Sequence, residues 1–291
     1  VNIVNLWLFD LEADRNGGMW LASSIGLYYY KDNQCSKIEQ VTASVGDMTR
    51  YDDNHLVAAS IEGIYLIDTE RKHVELWSGN IGVAPASLLL DPAMNRLWIG
   101  TLSGGLYYFD YAAKELHVAL VENFPQQCVK AIKLVSDSTI WCGIDGRGVW
   151  VLSRDGSRMI RTYQEDPDNP LSIRGNGVYD IYYEISGRVW ICSIIGGVSV
   201  ADLGSPMVTQ LQHRINNPNS LVNNHIHDLI EDSRGQLWAG TNRGLSCWNP
   251  HTDEWVNYFE KRGSEAFIIL ALCEDDDGNI WVGTYAHGVY V

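Results

Sequence analysis

Histidine is the residue type in this chain that could bind a metal ion or exchange a proton near neutral pH. His225 and His227 bracket one residue, so on a strand both side chains lie on one face, where His287 could join them around a metal. No third metal ligand has a spacing that would confirm such a site, and His225 occupies the place of Gly177 in the preceding repeat. We therefore expect no metal, no cofactor and no catalytic residue, and a lyase or hydrolase is the less favoured alternative.

Polar and aromatic side chains near glycine turns form a second group, suited to binding rather than to catalysis. Arg and Asn offer directional hydrogen bonds to hydroxyl or carboxylate groups, and Tyr offers a flat face to a sugar ring. The candidate ligand-binding residues are Asp145, Arg147, Asn176, Tyr179, Asn224, His225, Asn242, Arg243, Tyr285 and His287. They form one site only if the fold brings their loops together.

The elements that must position these loops recur seven times along the chain. Each copy has an apolar strand with a Trp-x-Gly-Thr-like sequence, a glycine turn and a second apolar strand. The anchor residues of the copies are Trp20, Val57, Trp98, Trp141, Trp190, Trp238 and Trp281. Their spacing of roughly 40 residues predicts an all-β fold, a seven-bladed β-propeller of four-stranded antiparallel blades that occupies residues 1–291 as one domain.

The sixth copy shows the whole unit. Its four predicted strands are residues 226–232, 237–241, 245–249 and 255–259, with Gly, Asn, Asp or Pro at the breaks between them. In such a blade the loop between the second and third strands, and the link to the next first strand, emerge on one face around the central channel. We expect the candidate residues on that face.

The two chain ends complete the predicted blade pattern. Residues 3–5 match 221–223 and precede a first strand, whereas Val291 falls in a third strand. The last blade should therefore lack a fourth strand and leave an unpaired edge. We expect the parent protein to continue beyond Val291.

The repeated Trp and acidic residues have structural explanations. Six anchors are Trp, whose large flat ring fills the space between twisted neighbouring sheets, so Val57 predicts a looser contact in blade 2. Asp14, Asp232 and Asp275 each stand six positions before a Trp anchor, where a carboxylate can accept backbone N–H bonds across the turn. We expect these residues to build blades and turns.

Composition excludes several classes of protein. A net charge of -15 and the absence of a basic cluster exclude direct nucleic-acid binding, and favour neutral or cationic partners unless a local basic pocket overrides the charge. The six cysteines show no Cys-x-x-Cys pair, so no zinc site is expected, and a Cys35–Cys128 disulfide is a less favoured alternative. The apolar run 266–273 is too short for a membrane span and is predicted to be an innermost strand.

Residues 217–245, with an Asn-Pro-x-Ser lead-in before the Trp motif, closely resemble the two-component regulator propeller repeat. Residues 169–173, which lead to Trp190, are similar to it, as are residues 97–106 and 279–284. Blade 2, which lacks the Trp, and blade 4, which lacks the leading acid, depart from the pattern. The resemblance extends over nearly the whole chain.

Such repeats are known chiefly from extracytoplasmic sensor regions of hybrid two-component systems in Bacteroides, which usually contain two seven-bladed propellers, an immunoglobulin-like domain, a membrane helix and a histidine kinase. The resemblance implies one propeller of the periplasmic part of an inner-membrane sensor, without catalytic activity of its own. Its implied partners are an oligosaccharide ligand, the second propeller and immunoglobulin-like domain of the same chain, and a second copy in a homodimer.

Two alternatives to the sensor remain. Propellers also serve as scaffolds for protein–protein interaction or dimerisation, and a hydrophobic top face without a convergent polar pocket would favour that function. Streptogramin lyases have related repeats, which keeps the enzyme alternative open.

Overall fold

The structure, a computed structural model, describes residues 7–166, 171–204, 208–259 and 267–291, with side chains described for all of these except 208–210. Within these ranges it contains 27 β-strands and one short 3-10 helix, Pro92–Met94. The strands form seven antiparallel sheets, each in sequence order, six with four strands and one with three. The predicted seven-bladed propeller is thus confirmed. Asn169 and the first residue of the 266–273 run lie outside the described residues.

Each blade is a meander of consecutive strands. Blades 1 and 2 contain β1 Leu8–Ala13, β2 Met19–Ser23, β3 Gly26–Lys31, β4 Gln34–Lys37, β5 Val45–Arg50, β6 His55–Ser60, β7 Gly63–Asp68 and β8 His73–Ser78. Blades 3 and 4 contain β9 Pro85–Asp91, β10 Arg96–Thr101, β11 Leu106–Asp110, β12 Glu115–Val118, β13 Val129–Val135, β14 Thr139–Ile144, β15 Gly148–Ser153 and β16 Met159–Tyr163. Blades 5 to 7 contain β17 Val178–Tyr183, β18 Arg188–Ser193, β19 Gly197–Asp202, β20 Val208–Leu211, β21 Ile226–Glu231, β22 Leu237–Thr241, β23 Gly244–Asn249, β24 Glu254–Tyr258, β25 Ile269–Glu274, β26 Ile280–Thr284 and β27 Val289–Tyr290.

The first strand of every blade lies innermost and packs against the first strands of both neighbours, and β25 packs against β1 to close the ring. Among the described residues, β27 pairs only with β26. The seventh blade therefore has three strands, as the sequence predicted.

The anchor residues lie in the hydrophobic clusters between neighbouring blades. Trp20 belongs to one cluster with Val45 of blade 2, and Trp141 belongs to one cluster with Ile181 of blade 5. Packing between blades is therefore confirmed as the structural role of the repeated Trp.

The looser contact that Val57 predicted for blade 2 is not seen in the structure. Val57 is fully buried in a cluster at the boundary with blade 3. The ring of Trp77 lies 5.2 Å from Tyr51 and 5.9 Å from Tyr111 between ring centroids, and both tyrosines join this cluster. Aromatic side chains from other positions thus supply the bulk that the missing Trp would provide.

The acidic residue before the Trp closes the first turn of its blade. Asp232 accepts the Gln236 N–H at 2.8 Å with one oxygen and the Trp238 Nε1–H at 2.9 Å with the other. In blade 1, Asp14 accepts the Tyr29 hydroxyl at 2.6 Å instead, and Trp20 Nε1 has no partner among the described atoms. The expected turn function of these carboxylates is confirmed, and each also holds an aromatic side chain.

A second set of carboxylates joins neighbouring blades around the channel. The third residue of four innermost strands is Asp, and it accepts a backbone N–H from the next blade. The pairs are Asp10 with Met48 (3.0 Å), Asp47 with Leu88 (2.5 Å), Asp180 with Leu229 (3.2 Å) and Asp228 with Leu272 (2.5 Å). Ser87 donates to the Val129 carbonyl at 2.8 Å in blade 3, whereas Ala131 and Ala271 occupy this position in blades 4 and 7. We name these four residues the Asp ring.

Candidate functional site at the channel mouth

The loops between the second and third strands lie on the same face as the entrances to the first strands. The Asn242 N–H donates to the His225 carbonyl at 3.1 Å, and the Tyr285 N–H donates to the Ile268 carbonyl at 2.9 Å. Asp145 makes the equivalent bond to Cys128 at 2.9 Å. These repeated bonds place the loops beside the channel opening, on the face that the sequence predicted.

The channel opens on this face into a cavity of about 370 Å³, which we call the mouth. It is continuous with a deeper cavity of about 490 Å³ because both are lined by residues such as Phe9, Lys130, Tyr179 and His227. The second residue of each innermost strand lines the mouth. A mouth of this volume suits a small ligand.

One side of the mouth is aromatic and apolar. The rings of Trp7 and Tyr285 lie 5.5 Å apart between centroids at an angle of 41°, and the two residues are 50% and 40% exposed. Phe9 and Leu102 extend this surface and are also exposed. Large exposed aromatic groups on a concave surface are typical of ligand sites.

The opposite side of the mouth carries polar groups from blades 4 to 6. The Lys130 ammonium lies 5.0 Å from the Tyr179 ring centroid, and the Tyr179 and His227 rings are 6.0 Å apart. Burial lowers the pKa of His227, and His225 and Lys130 lower it further, whereas its bond to Asn242 opposes the shift. His227 is therefore neutral near pH 7.

Asn242 connects the two neighbouring histidines. His227 Nε2 donates to Asn242 Oδ1 at 2.5 Å, and Asn242 Nδ2 donates to His225 Nδ1 at 2.7 Å. This arrangement fixes the orientation of His227 and leaves no lone pair on His225 Nδ1 for a metal. Across the described residues, no group of three His, Cys, Asp or Glu side chains has a metal-binding arrangement.

In the structure the ten predicted ligand-binding residues fall into two groups of five. Tyr179 and Tyr285 line the mouth. Asn242 is hydrogen-bonded to both His227 and His225. Asp145 is close enough to Tyr179 for its charge to raise the pKa of that tyrosine, after the larger effect of burial. Five of the predicted residues thus lie at the same opening: Tyr179, Tyr285, His225, Asn242 and Asp145.

The other five predicted residues lie away from the mouth lining. Asn176 and Asn224 line a separate pocket of about 500 Å³, and their side-chain oxygens accept the backbone N–H groups of Glu165 (2.8 Å) and His213 (2.6 Å). Arg147 and Arg243 are exposed, and His287 packs against Phe267 at 4.8 Å between ring centroids. Their participation in binding stays a prediction.

Sequence reasoning missed Trp7, Phe9, Leu102 and Lys130. Each has a different residue type at the equivalent position of other blades, so no repeat marks it. The Asp ring was also missed, although its repeated place two residues after the start of an innermost strand is visible in the sequence.

The cysteines do not form the alternative disulfide. Cys35 and Cys128 are both free thiols, as are the other four cysteines. Burial raises the pKa of both Cys35 and Cys128. These thiols therefore behave as apolar side chains.

The Asp ring and Glu12 have shifted pKa values because these side chains are half-buried in the wall of the channel. Burial raises the pKa of all four ring residues, most strongly those of Asp47 and Asp228, where the charges of Asp10 and Asp180 add to the effect. Burial and then the Asp10 charge raise the pKa of Glu12 to about 8, although Arg50 lies 3.5 Å away. Glu12 is thus mainly protonated near neutral pH.

These shifts set the sign of a pH effect on stability. Because the folded-state pKa of Glu12 exceeds its unfolded value of about 4.3, the folded chain binds more protons between the two values. The free energy of unfolding should therefore fall as the pH rises from about 4 to about 8. In Glu12→Gln, urea unfolding at several pH values should show a shallower fall, with exposed Glu39→Gln controlling for the lost formal charge. An unchanged slope in Glu12→Gln would contradict this assignment.

Comparison with known proteins supports the repeat family. The family model described as two component regulator propeller matches residues 220–243 and 263–286, so the chain carries that repeat and the resemblance is confirmed. No curated protein sequence matches the chain significantly.

Solved structures share the fold at low identity. The extracellular domain of a hybrid two component system from B. thetaiotaomicron is 22% identical with a TM-score of 0.78, covering 98% of this chain and 38% of that one. The extracellular domain of a one component system from the same organism is 19% identical with a TM-score of 0.56, covering 96% and 39%. Catalytically inactive virginiamycin B lyase from Staphylococcus aureus, with Quinupristin, is 14% identical with a TM-score of 0.74, covering 99% and 95%. This chain therefore spans about two fifths of the length of the two B. thetaiotaomicron domains.

The described residues contain no helix long and apolar enough to cross a membrane.

Proposed function

We propose that this propeller is the extracytoplasmic ligand-binding part of a two-component sensor and that it binds an oligosaccharide at the channel mouth. The mouth carries the proposal, because an exposed Trp7–Tyr285 platform faces the hydrogen-bonding groups of Tyr179 and His227 across one cavity. Aromatic faces opposite polar groups match the apolar faces and hydroxyl rims of sugars. The matching repeat family and the likeness to extracellular domains of B. thetaiotaomicron support the sensor part.

Signalling would then require that the ligand bind two states of the sensor with different affinity, because equal affinity shifts no equilibrium. The mouth is suited to such a difference because Trp7 belongs to blade 1 and Tyr285 belongs to blade 7. The inner strands of these two blades pack together where Ala271 occupies the position of a ring carboxylate. Membrane and kinase segments of the parent protein would carry the signal onward, and the propeller itself would have no catalytic function.

The test is thermal unfolding of the chain with a panel of neutral and acidic oligosaccharides. A ligand at a hundred times its Kd stabilises the folded state by about 2.7 kcal/mol, so Tm should rise with dose for at least one saccharide. Trp7→Ala should weaken that binding about tenfold, equal to about 1.4 kcal/mol. The fully exposed Ile185, in the first turn of blade 5 on the opposite face, gives the matched control Ile185→Ala. No Tm shift with any saccharide would contradict the proposal.

A scaffold function is the second candidate, and one observation favours it. Ile25, Ile61 and Ile195 are exposed in loops on the same face as the mouth. Exposed apolar side chains around an opening can form a protein interface or a dimer contact. Sedimentation velocity over a concentration series would test self-association, which Ile25→Ser and Ile61→Ser together should abolish.

A further inference from the structure

Lys130 is the charged group of the mouth. It is the second residue of β13, is half-buried and lines both the mouth and the deeper channel. Among the described residues that line the mouth, none is Asp or Glu. A chain with a net charge of -15 thus presents a cation and no carboxylate inside this opening.

No carboxylate in the described part of the chain pairs with the Lys130 ammonium. Its described contact is the Tyr179 ring, 5.0 Å from Nζ to the centroid. The seven ion pairs between described residues involve other basic side chains. An ammonium that is partly desolvated without an anionic partner is a ready site for one.

The ring carboxyls that follow Tyr179 and His227 in their strands already have hydrogen-bond partners. Asp180 and Asp228 accept backbone N–H groups within their own strand and from the next blade. Lys133, three residues further along the same strand, acts on carboxyls of the deeper channel, because its charge lowers the pKa of Asp180 and of Glu12. Lys130 is therefore left to a ligand while Lys133 is not.

Asp145 does not alter this arrangement. It raises the pKa of Tyr179 but does not line the mouth. Within the mouth a ligand contacts Lys130 and the neutral His227, and no described carboxylate lines this cavity. The low polarity around Trp7, Phe9 and Leu270 strengthens a charge–charge contact there.

We infer that the mouth selects an acidic saccharide, an oligosaccharide end that bears a uronic acid, with its ring on Trp7 and Tyr285 and its carboxylate against Lys130. This inference rests on the proposed function and specifies its ligand. The local charge overrides the preference for neutral or cationic partners that the net charge alone indicates.

Isothermal titration with matched pairs tests the inference. The probes are galacturonate, glucuronate and mannuronate oligosaccharides together with neutral galactose, glucose and mannose oligosaccharides of the same linkage and length. At least one acidic member should bind tenfold or more tightly than its neutral counterpart, and 0.5 M NaCl should reduce the difference. Lys130→Met should remove the difference, Lys130→Arg should retain most of it, and Lys133→Met should preserve it in protein that still unfolds cooperatively.

The outcomes separate this inference from the proposed function. Equal binding of acidic and neutral members, unchanged by Lys130→Met, would overturn the acidic ligand and leave saccharide binding in place. Binding of neither kind would overturn both. A preference for acidic members that persists in Lys130→Met would assign the carboxylate to another cation and also overturn the inference.

Discussion

Arg154→Ala should lower the free energy of unfolding by about 3–5 kcal/mol, because it leaves the Asp91 carboxylate buried without its cation. Asp91 is 0% exposed at the end of β9, and it accepts hydrogen bonds from Arg154 Nε at 2.8 Å and Nη2 at 2.6 Å. Arg154 also donates to the Asp137 carbonyl at 3.2 Å. The ion pair therefore joins blade 3 to two turns of blade 4 on the face opposite the mouth.

The measurement is urea unfolding followed by Trp fluorescence, with the m-value checked for constancy. Arg71→Ala is the matched control, because Arg71 occupies the corresponding turn of blade 2, is 84% exposed and lies 3.8 Å from Asp68. Its loss should cost less than about 0.5 kcal/mol. The double variant Asp91→Leu with Arg154→Met should recover much of the stability, since replacing both members of a buried pair is often neutral. A loss below about 1 kcal/mol in Arg154→Ala would contradict the structural role of the pair.

Trp98→Ala should also cost about 3–5 kcal/mol, the usual range for removing a large buried aromatic side chain. Trp98 is 0% exposed and packs at the boundary between blades 3 and 4. Its ring lies 5.3 Å from Tyr108 between centroids. A Cβ atom added to Gly156, which has a φ of 68°, would lie 2.4 Å from Trp98 Cη2. The surrounding space is therefore filled, and the truncated side chain should leave a cavity.

Trp7→Ala provides the comparison within the same chain. Trp7 is 50% exposed at the mouth, so its removal should change the free energy of unfolding by less than about 1 kcal/mol and act mainly on ligand binding. Urea unfolding of both variants under one set of conditions measures the contrast. Similar losses in Trp7→Ala and Trp98→Ala would mean that the anchor position does not carry the packing between blades.

The fold was predictable because a propeller repeats the same physical requirements in every blade. The Asp232–Trp238 turn needs a carboxylate, a glycine and an indole at fixed offsets, and these offsets recur in the sequence. Substitutions inside the repeat were harder to interpret. Tyr29 replaces the indole as the partner of Asp14, and Trp77 compensates for Val57, through contacts between residues that no local spacing relates.

The candidate site was predictable only in part. Position in the entrance to an innermost strand identified Tyr179, and loop position identified Tyr285, because the fold determines which of these segments surround the channel. Position could not identify Trp7 or Lys130. A binding side chain in a propeller differs from the repeat pattern, but so do many side chains that have no function. Asn176 and Asn224 show the opposite difficulty, because their repeated polar side chains hold the links between blades through backbone hydrogen bonds.

A crystal structure grown with the oligosaccharide that most increases Tm tests the central claim most directly. We expect electron density for a sugar ring against Trp7 and Tyr285, with its polar groups toward Lys130 and His227. Density in the separate pocket beside Asn176 and Asn224, or on the opposite face of the propeller, would contradict the assignment of the channel mouth as the binding site.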